Sequence, residues 1–212
     1  MLSKNDLRNA IASKNRGISA TDSDRQAITS MIARVEDLNP TPNPLTNAAL
    51  LAGDWRLLYT TSTELLGIDK VPLAQLGDIY QCVRPELNRI YNIAEVTSLP
   101  YCEALVSVVA SFEPATTDSI QELSASTVSS LSQRRVDVRF NRAVFGLQRL
   151  LGYQSPAQYI EAIETTEKFN LLQGIDFPID AGRQQGWLEI TYLDEDLRIG
   201  RGNQGSVFVL TK

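Results

Sequence analysis

No histidine occurs among the 212 residues, and that absence removes whole classes of chemistry. Without imidazole there is no Ser-His or Cys-His nucleophile pair, no His-ligated zinc and no histidine proton switch. Cysteine is scarce too. Cys82 and Cys102 are too few for a disulfide framework and too far apart for a CxxC metal or redox motif, so both read as small apolar fillers in a reducing compartment. Basic charge falls short, with Lys plus Arg at 20 against Asp plus Glu at 25 and a formal charge of −5. A nucleic-acid binder gains affinity by neutralising phosphates, so no nucleic-acid partner is expected. Long apolar runs are missing as well: nothing approaches the roughly 18 consecutive apolar residues of a membrane span. The start, MLSKNDLRNAIASKNRG, lacks the apolar centre of a signal peptide and already reads as a helix. These features fit a soluble or peripheral protein made where it works, in the cytoplasm.

What remains is globular in proportion, with 43% apolar and 21% charged residues, and a chain of this length can bury roughly 70% of its unfolded surface. Two helices come first. Leu7, Ala10, Ile11 and Lys14 suggest about three turns ending near Gly17. In the second helix Asp22 or Ser23 caps, and Ile28, Met31, Ile32, Val35 and Leu38 form one stripe at helical period. Asn39-Pro-Thr-Pro-Asn-Pro44 then halts helix formation, because proline removes amide donors and forces extended geometry. Residues 1–45 are thus read as a helical segment with a Pro-rich linker, packed on a barrel formed by residues 46–212.

After Pro44 the texture changes to short β-branched and aromatic segments separated by turn residues. Strands are expected at 55–62, 79–84, 89–96, 105–113, 135–140, 187–193, 197–200 and 206–211. Such strands with little helix between them predict an all-β fold, an antiparallel sheet closed into a barrel, since βαβ crossovers need more chain. In Trp187-Leu-Glu-Ile-Thr-Tyr-Leu193 the period of two places Leu188, Ile190 and Tyr192 on one face and Trp187 and Leu193 on the other. Residues 115–133, rich in Ser and Thr, read as a long loop or hairpin. Residues 143–163 look helical, with Ala143, Val144, Leu147, Leu150 and Leu151 in one stripe and a second short helix begun by Ser155-Pro156.

Most familiar catalytic and cofactor motifs do not occur. Gly200-Arg-Gly202-Asn-Gln-Gly205 spells GxGxxG, but the chain ends in strand-like SVFVLTK where a dinucleotide site needs a helix, so a hairpin of positive-φ glycines is expected. Asp194-Glu-Asp196 lacks the spacing of a cation loop and reads as a solvated turn. GxSxG, SxxK and the P-loop pattern do not occur. No metal and no cofactor are expected. Gly53-Asp54-Trp55 opens the first strand; a glycine lets the backbone turn inward while the indole plugs the barrel end, and Arg198 or Arg201 comes late enough to stack on it.

Here a resemblance appears. The run Leu51-Ala-Gly-Asp-Trp-Arg-Leu-Leu-Tyr-Thr-Thr-Ser62, the later Gly77-Asp-Ile-Tyr-Gln81, Arg135-Val-Asp-Val-Arg-Phe140 and the closing stretch from Ile190 to Lys212 resemble the plastid lipid-associated protein family, also called fibrillins. The resemblance implies a lipocalin-like barrel that associates with lipids at photosynthetic membranes or lipid globules. It implies binding, transport or sequestration of a lipid, isoprenoid or quinone, linked to photooxidative stress, without a catalytic constellation. What transfers residue by residue is the G-x-W at Gly53 and Trp55, and Tyr192, Asp194, Arg198 and Gly205 in the closing strands. The start of the chain lacks a transit peptide, so a cyanobacterial-type member or a mature form, peripheral on thylakoid membrane or globule, is expected.

If the barrel is hollow, its lining includes Trp55, Leu57 and Tyr59 on one strand, with Phe140, Tyr192, Arg198 and Phe208. An isoprenoid or acyl chain burying about ten methylenes at ~0.8 kcal/mol each gains about 8 kcal/mol gross, less ordering costs. Arg134, Arg135, Arg139, Arg142 and Arg149 cluster beside the apolar stripe that includes Leu147, and Arg135, Arg139, Arg142 and Leu147 are therefore expected to meet membrane headgroups. The partners expected are a hydrophobic small molecule or lipid, a membrane surface and, in a structural or scaffold alternative that stabilises membranes, a partner protein.

Overall fold

The computed structural model describes residues 3–62, 75–97, 103–116, 131–180 and 185–212. Cys102 and residues 117–130 of the Ser/Thr-rich stretch lie outside the described residues. Two helices lead, α1 (Lys4–Ala12) and α2 (Asp22–Glu36). Each begins with a capping box: the Ser3 and Thr21 hydroxyls accept from the N–H groups of Asp6 and Asp24, whose carboxylates accept from the cap N–H in return. Thr21 therefore caps α2, one residue before the expected position, because Asp24 stands where it can answer. A 3-10 turn (Pro44–Thr46) and the short α3 (Ala48–Leu51) lead into the sheet.

Among the described residues nine strands follow: β1 (Gly53–Thr60), β2 (Gln75–Arg84), β3 (Arg89–Thr97), β4 (Ala104–Pro114), β5 (Arg135–Leu147), β6 (Gly174–Pro178), β7 (Gln185–Leu193), β8 (Leu197–Gly202) and β9 (Val207–Thr211). All their pairings are antiparallel. Eight close into a lipocalin-like barrel in the order β1-β2-β3-β4-β5-β7-β8-β9, with β9 returning to β1; β6 joins β5 outside that ring. Between β5 and β6 lie two more helices, α4 (Gln148–Leu151) and α5 (Pro156–Thr165), the latter capped by Ser155 with Pro156 in its first turn.

The expected helix over 143–163 is corrected in its first part. Residues 143–147 continue β5, pairing with β4 on one edge and β6 on the other. An apolar run such as Ala-Val-Phe fits either state, and here two partner strands decide it. β6 carries almost no sequence signal, since Gly174-Ile-Asp-Phe-Pro178 is short and ends in proline. β5 has 13 residues, and its first half pairs with β7 (Arg135↔Glu189 to Arg139↔Gln185) while its second half pairs with β6 (Arg142↔Pro178 to Gly146↔Gly174). The barrel wall flares there.

Three apolar layers hold the fold. Trp55, Leu57, Val83, Ile90, Phe112, Val136, Leu188, Ile190, Leu193 and Leu210 belong to the inner one. Outside β1, β7, β8 and β9, the buried Leu7, Ile11, Ile28, Ile32 and Val35 of α1 and α2 cover Tyr59, Tyr192, Leu197, Ile199 and Val209, each fully buried aliphatic side chain contributing about 1.5–3 kcal/mol of transfer free energy. Outside β2 to β5, Tyr159, Ile160 and Ile163 of α5 cover Tyr91, Ile93, Leu105, Val109 and Val144. Strands with apolar groups on both faces are thereby explained: the sheet carries a cover as well as an interior. Cys82 is buried in this outer layer, and burial pushes its thiol well above the usual range, so it acts as an apolar filler.

Candidate functional site

One end of the barrel is plugged. Gly53 enters β1 at φ 132°, a conformation that glycine alone adopts without strain, and the Trp55 indole lies fully buried and donates to the Leu51 carbonyl at 2.9 Å. Two cations flank the ring, with Arg198 Cζ 5.1 Å and Lys212 Nζ 4.7 Å from its centroid. Of the two arginines proposed to stack, Arg198 does so. Arg201, an odd number of residues on, faces outward and binds Glu36 of α2 at 2.7 Å.

Arg198 is 2% exposed. Among the described residues its guanidinium donates only to Oε1 of Gln81, and no carboxylate pairs with it. Gln81 in turn donates to Asn92 Oδ1 at 3.1 Å, so a short polar chain crosses an otherwise apolar interior. Burial pulls the Arg198 guanidinium down to about 9, which leaves it cationic at neutral pH.

Above this floor several inward-facing side chains are only partly buried. Gln81, Asn92, Val106, Val108, Phe140 and Phe208 face inward by register and keep partial exposure. Of the residues expected to line a hollow, Trp55, Leu57, Phe140, Arg198 and Phe208 do face the interior. Tyr59 and Tyr192 do not: both lie in the outer layer beneath α1 and α2. Register shifts, between Leu57 and Tyr59 on β1 and between Ile190 and Tyr192 on β7, insert an extra residue and reverse the alternation. The same shift turns Leu193 inward, with Leu188 and Ile190.

The expected basic rim is dispersed. Arg134 binds Glu189 at 2.8 Å, Arg135 stacks on Trp187 at 4.3 Å, and Arg139 approaches Glu113 at 3.8 Å. Arg142 holds Asp176 through Nε and Nη2 at 3.0 and 2.7 Å and donates Nη1 to the carbonyls of Ile163 and Thr166. It fastens β5 to β6 and to the end of α5, so it is not free to meet a headgroup. Leu147 lies at the far end of β5 from Arg135, about 40 Å of strand away; the four do not form one surface.

Sequence reasoning missed an exposed apolar face instead. Phe145 pairs with Val106 and with Ile175, so the flared β5–β6 ribbon extends the inner face of the barrel outward. Phe145 and Phe177 stack at 6.0 Å and are about 40% exposed, beside Ile175 and Leu147. Next to the ribbon, Leu171 and Leu172 stand 90% and 84% exposed on a turn fixed by Asn170, whose carboxamide oxygen accepts from the N–H groups of Leu172 and Gln173. The alternation of Phe145, Leu147, Ile175 and Phe177 would have signalled this face had residues 143–147 been read as strand.

The remaining motifs resolve simply. Gly200 and Gly202 sit within β8, and only Gly205 takes a positive φ, 70°, in the 3-10 turn before β9. Asp194-Glu-Asp196 is more than a solvated turn: Asp194 accepts from the Tyr192 hydroxyl, Lys4 and the N–H groups of Asp196 and Leu197, and Arg8 binds Asp196. Burial pulls the Asp194 carboxyl upward, but these donors outweigh it and hold it well below the usual carboxylate range. A depressed carboxyl stabilises the fold above its unfolded pKa of about 4, and that stability is lost as pH falls through the folded value. Asp194→Asn is expected to cost about 2–3 kcal/mol at pH 7, the deficit shrinking between pH 4 and strong acid; urea unfolding of both proteins across that range checks it, and a pH-independent deficit would refute it.

Among the described residues no set of acidic or thiol side chains is grouped as metal ligands, and no helix is long and apolar enough to cross a membrane. Comparison with known proteins adds the lineage. The PAP_fibrillin family model matches residues 1–124 and 122–211. The chain belongs to this family. Among relatives, the family's "Plastoglobulin-1, chloroplastic" of Pisum sativum is 32% identical over 99% of the chain and 60% of its own length. "Light-induced protein, chloroplastic" of Solanum tuberosum is 31% identical over 100% and 67%, and "Probable plastid-lipid-associated protein 2, chloroplastic" of Arabidopsis thaliana 29% over 99% and 70%. The chain thus spans about two thirds of the length of these relatives. All three are plant proteins named chloroplastic, which lends no support to the expected cyanobacterial origin or cytoplasmic location. No solved structure matches the chain.

Proposed function

We propose that this protein is a non-catalytic carrier that takes an apolar molecule, a lipid, isoprenoid or quinone, into the barrel while its flared edge rests on a lipid surface. One observation carries the reading: the inward-facing apolar surface continues without a break, through Val106 and Phe145, onto the exposed β5–β6 ribbon. A ligand could pass from a lipid phase to the interior along that face without meeting a polar barrier. The family's lipid-associated and plastoglobulin relatives support a setting on plastid lipid globules or thylakoid membranes, with photoprotection as the role most in keeping with a quinone or carotenoid cargo.

Titration of the intrinsic Trp fluorescence with quinones, carotenoids and neutral lipids is expected to saturate near one ligand per chain. Absence of saturable binding across all three would overturn the carrier reading. The densely filled plugged end favours the second reading, a structural coat, which predicts lipid attachment without a saturable ligand. Flotation with triolein droplets tests the docking edge: a Leu171→Glu, Leu172→Glu double variant is expected to lose about tenfold or more in droplet binding, since a charge is costly in an apolar phase. Unchanged flotation would place the docking surface elsewhere.

A further inference from the structure

We infer that Arg198, with Gln81 and Asn92, is an anion-recognising floor, so that the preferred ligand is an amphiphile with an apolar tail and an acidic oxygen-bearing head. The inference rests on the carrier reading above and names its ligand class. A guanidinium carries five N–H donors, and here one amide oxygen is the only acceptor among the described residues. A buried cation without a counter-charge is costly, several kcal/mol by general experience, and even the less buried Arg142, Arg84 and Arg201 are paired, with Asp176, Asp54 and Glu36. Trp55 offsets part of the cost through its ring face, but a π-face accepts no hydrogen bond along the guanidinium plane.

The placement suits a head-down ligand. Arg198 is the second residue of β8, directly after the Asp194–Leu197 corner and beside the plugged end, and its contact with Gln81 points it toward the partly exposed inner surface. Gln81 and Asn92 lie side by side on β2 and β3; when the Arg198–Gln81 bond opens it is the guanidinium N–H groups that are released to a head oxygen, with the Asn92 carboxamide nitrogen as a neighbouring donor. The tail then runs past Val106, Val108 and Phe140 toward Phe145. A carboxylate or a phosphate head would satisfy the same donors; the two are told apart by measurement.

Affinities of the whole chain are compared for cis-parinaric acid against its methyl ester, and for farnesyl phosphate against farnesol. The charged member of at least one pair is expected to bind about tenfold or more tighter, as a charge-assisted hydrogen bond implies, and the pair with the larger ratio identifies the head. Arg198→Met is expected to erase the preference, bringing the ratio of charged to neutral affinity within about twofold of unity. Gln81→Glu, which supplies an internal carboxylate and keeps the arginine, is expected to erase it too, and serves if the Met variant does not fold. Equal binding of charged and neutral probes by the native chain, or a preference that survives in either folded variant, overturns the anion floor while the carrier reading stands. No binding of any probe overturns the carrier reading and the floor with it.

Discussion

Replacing Trp55 with alanine is expected to remove about 3–5 kcal/mol of stability, among the largest effects of any single substitution in this chain. The indole is fully buried at the plugged end, and its loss opens a void among Leu51, Val83 and Leu210 that the surrounding strands cannot close. The ring also provides the face on which Arg198 and Lys212 rest, so alanine leaves a buried guanidinium with only an amide for company. Trp55→Phe separates the contributions. It keeps an aromatic face and most of the volume but abandons the bond to the Leu51 carbonyl, and a deficit of about 1–2 kcal/mol is expected. Urea unfolding of the two variants against the native chain checks both values, and a deficit below about 1 kcal/mol for alanine would show that the plug is dispensable.

Arg142→Met is expected to be comparably severe, about 3–5 kcal/mol, because it strands a buried carboxylate. The Asp176 side chain is 3% exposed and, among the described residues, retains only the Phe169 N–H as a hydrogen-bond donor when the arginine is gone. Burial alone would raise the Asp176 carboxyl, but Arg142 and that N–H hold it below its usual value. The pair therefore stabilises the fold at neutral pH, and its contribution is lost as pH falls through the lowered carboxyl pKa. Arg149, seven residues on and exposed, provides the contrast: Arg149→Met should change stability by no more than about 0.5 kcal/mol. Equal losses for the two variants would mean that the junction of β5, β6 and α5 is not held by this pair.

These two sites differ in how far they could be read in advance. Gly53 and Trp55 at the entry of the first strand, with an arginine late in the chain, suffice to place the plug, because the requirement is local: a glycine at positive φ, a ring two residues on, a cation within reach. Arg142 could not be told in the sequence from a solvated rim arginine, since a run of arginines looks alike whether it faces water or a buried aspartate. Its partner lies on β6, a strand with almost no signature of its own. The apolar ribbon of Phe145, Leu147, Ile175 and Phe177 was hidden for the same reason, as a helical reading of residues 143–147 merged it with a core stripe.

By itself the sequence determined the class of chemistry, the barrel and its lineage. The absence of histidine, the short β-branched segments between turn residues, the helical stripe of α2 and the two ends of the barrel are all properties of neighbours along the chain, where steric preference and hydrophobic period act. Tertiary structure decided which residues face the interior. One extra residue in β1 and another in β7 send Tyr59 and Tyr192 outward beneath the helices, and a two-residue period cannot show where it will slip. It also decided that Arg198 is buried with no carboxylate partner among the described residues and that β5 runs past the ring to carry an apolar face outward. Both depend on partners about thirty residues or more away in sequence, and only the folded sheet brings them together.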